Sequence, residues 1–327
     1  MKYNLENIYD SKIPKCLNDF LNYLNTIRGK SKNTIAGYKI DLSMFFRFLK
    51  LYRGIVPEDC DFQDIFIGDI NNEFVKSISL SDLFAFISFA ENYRNNGTYA
   101  RARKVASLKS FFKYLYGKAK IINENPALEL ESPKIDKRNP VYLSLEESRD
   151  LLKSIDGKYK ERDYCMITLF LNCGMRLSEL CGIDISKIKD DTLTVIGKGN
   201  KERTIYLNKA CLKSLNEYLL TRNSEYNKIV DKDALFLSKN HTRINKRSVE
   251  LILKKYLKKA GLDVKKYTPH KLRHTAATLM YKYGNVDIRS LQKILGHESV
   301  STTQIYTHVD DEKLREAVKS NPLSDEI

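Results

Sequence analysis

The sequence predicts a mainly α-helical protein with one small β-sheet, divided into two domains. Three observations support this. Apolar residues recur at helical spacing through both halves of the chain. One β-branched stretch around a glycine-rich turn, between residues 192 and 207, breaks that pattern. A polar segment, Glu131-Ser132-Pro133-Lys134-Ile135-Asp136-Lys137-Arg138-Asn139-Pro140, carries two prolines and no apolar period, and reads as a linker. At 327 residues the chain suits two domains of roughly 100–200 residues each. The expected division is a helical domain over 1–131, a linker over 132–140 and a mixed α+β domain over 141–327.

In the first half, Leu17, Phe20, Leu21 and Leu24 keep a helical period. Ser31-Lys32-Asn33-Thr34 then offers an N-cap to a second helix through Ile35, Tyr38, Leu42, Phe45, Phe46 and Leu49. Helices are expected over 81–93 and 98–116, the latter with Val105, Leu108, Phe112 and Leu115 on one stripe and Arg101, Arg103, Lys104 and Lys109 on the other face. Residues 54–80 are acidic and mixed, and no periodicity assigns them.

In the second half, Ser144 with Glu147 three residues on is a capping-box pattern that starts a helix. Residues 162–172 read as a buried helix ending at Gly174. The runs 192–196 and 202–207, joined by Gly197-Lys198-Gly199-Asn200-Lys201, predict a β-hairpin. Helical pattern resumes over 246–260, 270–283, 287–295, 299–306 and 310–319.

The 56 Lys and Arg against 41 Asp and Glu give a net charge of +15, spread over both halves as +6 for residues 1–139 and +9 for 140–327. Such a balance points to a polyanionic partner: nucleic acid, an anionic membrane surface or ribosomal RNA. The longest apolar stretch, around 165–171, falls far short of the ~20 residues that span a bilayer, and no apolar signal segment follows Met1-Lys2-Tyr3-Asn4. The six cysteines show no C-x-x-C spacing and are expected as free thiols, which places the protein in the cytoplasm.

The polar residues at element ends carry the chemistry. Arg176 follows Gly174, Lys198 sits in the hairpin turn, and His270 and Arg273 share a helix face three residues apart. His297 follows Leu295-Gly296, and Tyr306 lies nine residues further on. Two arginines match the non-bridging oxygens of a phosphodiester, because their planar forks fit phosphate geometry. Two histidines can exchange protons near neutral pH, a lysine can protonate a leaving oxygen, and a tyrosine among cations can act as a covalent nucleophile. Taken singly, each residue also has an ordinary structural reading. His270 and His274 have the i, i+4 spacing of a zinc pair, but Lys271 stands where a metalloprotease carries Glu.

The set Arg176, Lys198, His270, Arg273, His297 and Tyr306 resembles the active site of the tyrosine recombinases, the lambda-integrase family. The stretches 174–180, 197–203, 268–275 and 295–308 are similar to those of bacterial Xer-type members, and the resemblance spans roughly 17–320. It implies that Tyr306 attacks a DNA phosphate to form a 3′-phosphotyrosine and that Arg176 and Arg273 bind the phosphate oxygens. It further implies that Lys198 protonates the departing 5′ oxygen, His270 assists proton transfer, His297 hydrogen-bonds the phosphate and Glu179 orients the site.

No cofactor, metal or ATP is implied. The first half resembles the family's core-binding domain, which would put Lys32, Thr34, Tyr38, Arg101, Arg103 and Lys104 against DNA, with the two halves forming a C-shaped clamp around the duplex. Residues 54–80 look longer than the usual connection, and no extra N-terminal arm-binding domain is expected. The helix over 311–319 is expected to pack on a neighbouring protomer.

The implied function is site-specific recombination by a homo- or hetero-tetramer on double-stranded DNA. It proceeds through a Holliday junction, in chromosome or plasmid dimer resolution, with an activating translocase among the partners the resemblance implies and with no membrane anchor. The competing readings are an integrase or resolvase of a mobile element, a type IB topoisomerase and a non-catalytic DNA-binding protein.

Overall fold

The computed structural model describes residues 9–135, 140–197, 201–224, 226–284 and 286–309. The chain packs as two units, Met1–Lys137 and Arg138–Ile327.

The first unit is helical. Helix α1 (Lys15–Asn22) continues into a π-helical turn (Tyr23–Ile27). Then come α2 (Lys32–Tyr52), a short α3 (Asn72–Lys76), α4 (Leu80–Asn92) and α5 (Thr98–Gly117). Ser31 caps α2 by accepting from the Thr34 N–H, and Ser79 with Asp82 forms a capping box on α4. The core is aromatic: Phe20, Phe45, Phe46, Phe86, Phe111 and Phe112 are fully buried. Their rings meet mostly edge to face, as Phe45 and Phe86 do at 5.2 Å.

The connection 54–80 is folded onto this core. Ile65, Ile67, Ile70, Val75 and Ile78 are buried. Basic residues of α2 and its C-cap Arg53 fasten it: Arg47 donates to the Ile65 carbonyl, Lys50 to the Phe66 carbonyl and Asp69, and Arg53 to Ser77. Its isoleucines follow no single period because they insert from a non-helical path.

The second unit is built round α7 (Lys160–Cys173), a helix buried on nearly every side and packed against α6 (Leu145–Lys153), α9 (Lys209–Ser224) and α11 (Pro269–Tyr283). Helix α8 (Leu177–Cys181) follows α7 closely, and α10 (Lys246–Lys259) packs on α8 and α6. A three-stranded antiparallel sheet runs β1 (Ile188–Lys189), β2 (Thr192–Ile196) and β3 (Glu202–Tyr206), with Leu193 opposite Ile205 and Val195 opposite Arg203. Leu193, Val195 and Ile205 face the core, and Ile196 and Tyr206 face out, the period-2 alternation of a half-buried sheet.

Helix α9 was not anticipated, although Cys211, Leu215, Tyr218 and Arg222 form its buried stripe and the Asn208 side chain caps its first turn. After α12 (Ile288–Leu295) the chain forms two 3-10 turns, Val300–Thr302 and Gln304–Val309, where a single helix over 299–306 was expected. Thr303 is fully buried at the break, and its hydroxyl is tied to the His297 ring at 2.9 Å. The helix expected over 310–319 lies outside the described residues. Among the described residues no helix is long and apolar enough to cross a membrane, and all six cysteines are free.

Candidate active site

The site is assembled where two helices of the second unit end. Gly174 closes α7 and Gly296 closes α12, both in the left-handed conformation (φ +58° and +65°) that glycine adopts without strain. A helix C-terminus leaves carbonyls unpaired and carries partial negative charge. Here those carbonyls receive arginines. Arg273 donates to the Gly174 oxygen at 2.8 Å and the Leu295 oxygen at 2.6 Å. Arg176 donates to the Gly296 oxygen at 2.9 Å, and Arg203 to the Ile294 oxygen. A Cβ at Gly174 would lie 2.8 Å from Leu295 Cδ2, and one at Gly296 would lie 2.7 Å from Arg203 Cδ. A larger residue at either turn would therefore be strained by the positive φ and would displace the Leu295 or Arg203 side chain.

The three guanidinium groups surround Glu179. This carboxylate has no solvent exposure. It accepts from Arg176 Nη1 at 2.8 Å, from the Arg176 backbone N–H at 2.7 Å and from Arg203 Nη2 at 2.8 Å, with Arg273 Nη1 at 4.0 Å. Burial pushes the Glu179 carboxyl up, but the hydrogen bonds and charge of Arg203, then Arg176, outweigh it and hold the group below its ordinary range. Burial and the neighbouring Arg176 lower the Arg273 guanidinium to about 10, leaving it charged at neutral pH. One anion against three cations leaves a net positive pocket, a seat for an oxyanion.

Two lobes of a groove meet at this cluster. Arg176, His297 and Thr302 line both; Lys201, Arg203 and Gly296 line one, and Lys246, Thr268, His270 and Arg273 the other. Thr268 caps α11 through the Lys271 N–H, Pro269 opens the helix, and His270 and Arg273 follow on one face. Close packing and the charges of Arg273, Lys271 and Arg176 hold the His270 imidazole below its usual range. Burial, then Arg273 and Arg176, push His297 down to about 4. Both rings are neutral at physiological pH.

Tyr306 is buried in a small apolar cluster with Ala277, Leu291 and Leu295. Its hydroxyl lies 2.7 Å from His274 Nδ1. The His274 ring in turn meets the His270 ring at 4.5 Å, close to edge-on. Burial raises the Tyr306 phenol to about 12, although Arg273 is near enough for its charge to act against that rise.

Five of the six expected catalytic side chains therefore gather in one place. The sixth, Lys198, lies outside the described residues. Its neighbour Gly197 abuts the site, since a Cβ there would be 3.5 Å from Glu179 Oε1 and 3.8 Å from Arg176 Nη1. Sequence reasoning assigned no role to Arg203 and considered His274 only as half of a zinc pair. Arg203 was legible as the inward residue of β3 beside the hairpin turn; the His274 contact needs a partner 32 residues away. Among the described residues no group of three or more His, Cys, Asp or Glu side chains is placed to hold a metal ion.

The expected DNA-facing residues of the first unit separate into two kinds. Lys32 is exposed, Arg103 is half exposed, and Thr34 and Tyr38 are partly covered. Lys104 corrects the expectation: it is 4% exposed, and its ammonium is held by buried Asp41 at 3.2 Å. Placed there, it has no face for a phosphate. Arg101 is mostly covered and paired with Glu91.

Comparison with known proteins follows the same lines. Residues 142–313 match the phage integrase family. The chain is 60% identical over 315 residues to the tyrosine recombinase XerC of Caldanaerobacter subterraneus subsp. tengcongensis, covering 96% of this chain and 89% of that relative. Among solved structures, the XerH site-specific recombinase bound to palindromic difH substrate, a post-cleavage complex, matches with a TM-score of 0.66 at 21% identity, covering 96% and 98% of the two chains. A lambda integrase tetramer bound to a Holliday junction matches with a TM-score of 0.62 at 18% identity, covering 92% and 83%. At these identities the likeness to the solved structures is one of fold. The sequence relationships carry the identification: the chain belongs to the phage integrase family, the tyrosine recombinases.

Proposed function

We propose that the protein is a site-specific DNA recombinase that cuts and rejoins DNA through a 3′-phosphotyrosine on Tyr306. The observation that carries this reading is the convergence of Arg176 and Arg273, from separate segments, on one buried carboxylate at a groove that His270 and His297 also line, with the Tyr306 phenol within reach of the Arg273 charge.

In this reading Arg176 and Arg273 bind the non-bridging oxygens and offset the charge that builds on the phosphorus centre. Their guanidinium groups are already fixed by helix-end carbonyls, so little reorganisation accompanies the reaction. His297, braced by Thr303, hydrogen-bonds the same phosphate. Glu179 holds the arginines in register, and Lys198 protonates the 5′ oxygen as it leaves. The energy of the broken phosphodiester is kept in the tyrosyl linkage, so rejoining draws on no ATP and no metal.

The fold likeness to a recombinase tetramer on a Holliday junction supports a tetrameric assembly on two duplexes. The high identity to a protein named tyrosine recombinase XerC supports chromosome or plasmid dimer resolution in the cytoplasm. Lys32, Thr34, Tyr38 and Arg103 remain the candidates for DNA contact in the first unit.

The test is a nicked suicide duplex that traps the covalent complex. The unaltered protein gives a protein–DNA adduct on its own site, and Tyr306→Phe, which lacks the attacking oxygen, gives none. An adduct with Tyr306→Phe would overturn the assignment of the nucleophile.

A further inference from the structure

We propose that His274 is the general base that takes the proton of Tyr306 as the phenol attacks the phosphodiester. The inference rests on Tyr306 being the nucleophile, and it moves that proton transfer away from His270.

Geometry comes first. A general base must lie within hydrogen-bond reach of the proton it removes. His274 Nδ1 lies 2.7 Å from the Tyr306 oxygen. The hydroxyl is enclosed: Tyr306 is 1% exposed among Ala277, Leu291 and Leu295. The nearby Arg273 has only donors and both its Nη groups are engaged on carbonyls, so it cannot accept a proton. His270 meets the His274 ring edge to face at 4.5 Å and is exposed along the groove. The two histidines of one helix thus divide: His270 faces the phosphate site and His274 faces the phenol.

The protonation states agree with this. Burial, then His270, Lys271, Arg273 and His297, push His274 down to about 4, so its ring is neutral. With its proton on Nε2, the Nδ1 lone pair receives the phenol hydrogen bond. In the resting protein the proton stays on oxygen, because the phenol is raised and the imidazole depressed. A phosphate entering among Arg176, Arg273 and His270 offsets the positive charge that depresses His274 and makes it more basic. Proton transfer is therefore tied to the arrival of the scissile group.

The step balances. The Tyr306 O–H bond breaks, and its proton goes to His274 Nδ1. The oxygen electron pair forms the new O–P bond. The P–O5′ bond breaks with its pair on the 5′ oxygen, which takes a proton from the acid of the proposed reading, Lys198. In rejoining, the 5′ hydroxyl gives its proton back to Lys198 and its oxygen attacks phosphorus, the P–O bond to Tyr306 breaks with its pair on the phenol oxygen, and His274 returns the proton to it.

The experiment measures single-turnover cleavage by full-length protein on the suicide duplex, with either an ordinary phosphodiester or a 5′-bridging phosphorothiolate. The sulfur leaves without needing a proton. His274→Ala and His274→Asn are both expected to cleave about 10²-fold slower or worse on both substrates, while Lys198→Ala is rescued by the sulfur leaving group. The Asn variant separates a base from a prop: its amide oxygen can accept the phenol hydrogen bond but cannot take the proton. Thermal melts and DNA affinity near those of the unaltered protein establish that the Asn variant is folded.

Cleavage by His274→Asn at or above the unaltered rate would overturn the proposal, as would rescue of either His274 variant by the phosphorothiolate. Failure of the underlying reading has a separate signature, an adduct that survives Tyr306→Phe, and it would remove the proposed base together with the nucleophile.

Discussion

Each unit of the molecule has a carboxylate buried among several cations, Asp41 in the first and Glu179 in the second, and the two clusters do different things with the same chemistry. In the first unit, Asp41 on α2 binds Arg103, Lys104 and Ser107, all from α5. In the second, Glu179 binds Arg176 from its own helix start and Arg203 from β3, with Arg273 of α11 at 4.0 Å. The first cluster joins two helices side by side and encloses its lysine. The second draws on three separate elements and holds three cations with one anion, and its arginines line an open groove. Burying charge is costly unless it is paired. Asp41 discharges most of that cost within the protein, whereas the Glu179 cluster keeps positive charge in excess at the place where a phosphate would sit.

The largest effects that test this contrast come from neutralising each carboxylate. Asp41→Ala and Glu179→Ala each leave buried cations unpaired and should lower stability by about 3–5 kcal/mol, read from denaturant unfolding. They should part in chemistry. At saturating DNA and matched folded fraction, Asp41→Ala keeps the rate of adduct formation, and Glu179→Ala loses most of it because the arginines no longer share one register. Equal loss in both variants would break the comparison.

A second, smaller effect is the acid dependence of stability. Glu179 is held below its ordinary value, so the folded protein releases that proton more readily than the unfolded chain. Its contribution is therefore fully present above the unfolded carboxyl range, about pH 4.3, and is lost as pH falls through the lower folded value. A Glu179→Gln variant should show a flatter stability curve than the unaltered protein in that acid window. Parallel curves would mean that the arginines do not govern this carboxyl.

The smallest expected effect distinguishes the exposed and buried cations of α5. Arg103→Ala should reduce the slope of log affinity against log salt by about 1, the loss of one phosphate contact. Lys104→Ala should leave the slope unchanged while costing stability, because its ammonium sits on Asp41. A reduced slope for Lys104→Ala would return that residue to the DNA-facing set.

Much of this architecture was legible in advance. The capping box at Ser144 and the stripes of α2 and α5 follow from local rules that act within four residues. The hairpin was marked by β-branched runs around a glycine-rich turn. The connection 54–80 was not legible, because its isoleucines are placed by hydrogen bonds from Arg47, Lys50 and Arg53 rather than by a period of their own. The 299–306 segment was read as one helix, and Thr303 with His297 divides it into two turns. Lys104 looked like its neighbour Arg103, since both are basic residues of one helix. Both bind Asp41, some sixty residues earlier, and only the packing of the unit leaves Arg103 half exposed and Lys104 enclosed.

The sequence by itself determined which residue types the site would contain and where helices would stop, because caps, glycine turns and motif spacing are written in short stretches of chain. Tertiary structure alone decided which cations remain available and which base touches the phenol. Those outcomes depend on burial and on charges brought together from distant segments, and no local pattern encodes the dielectric a side chain will meet. The pairing of Tyr306 with His274 is the plainest case: an ordinary tyrosine and an ordinary histidine, 32 residues apart, are brought by packing to 2.7 Å between the phenol oxygen and Nδ1.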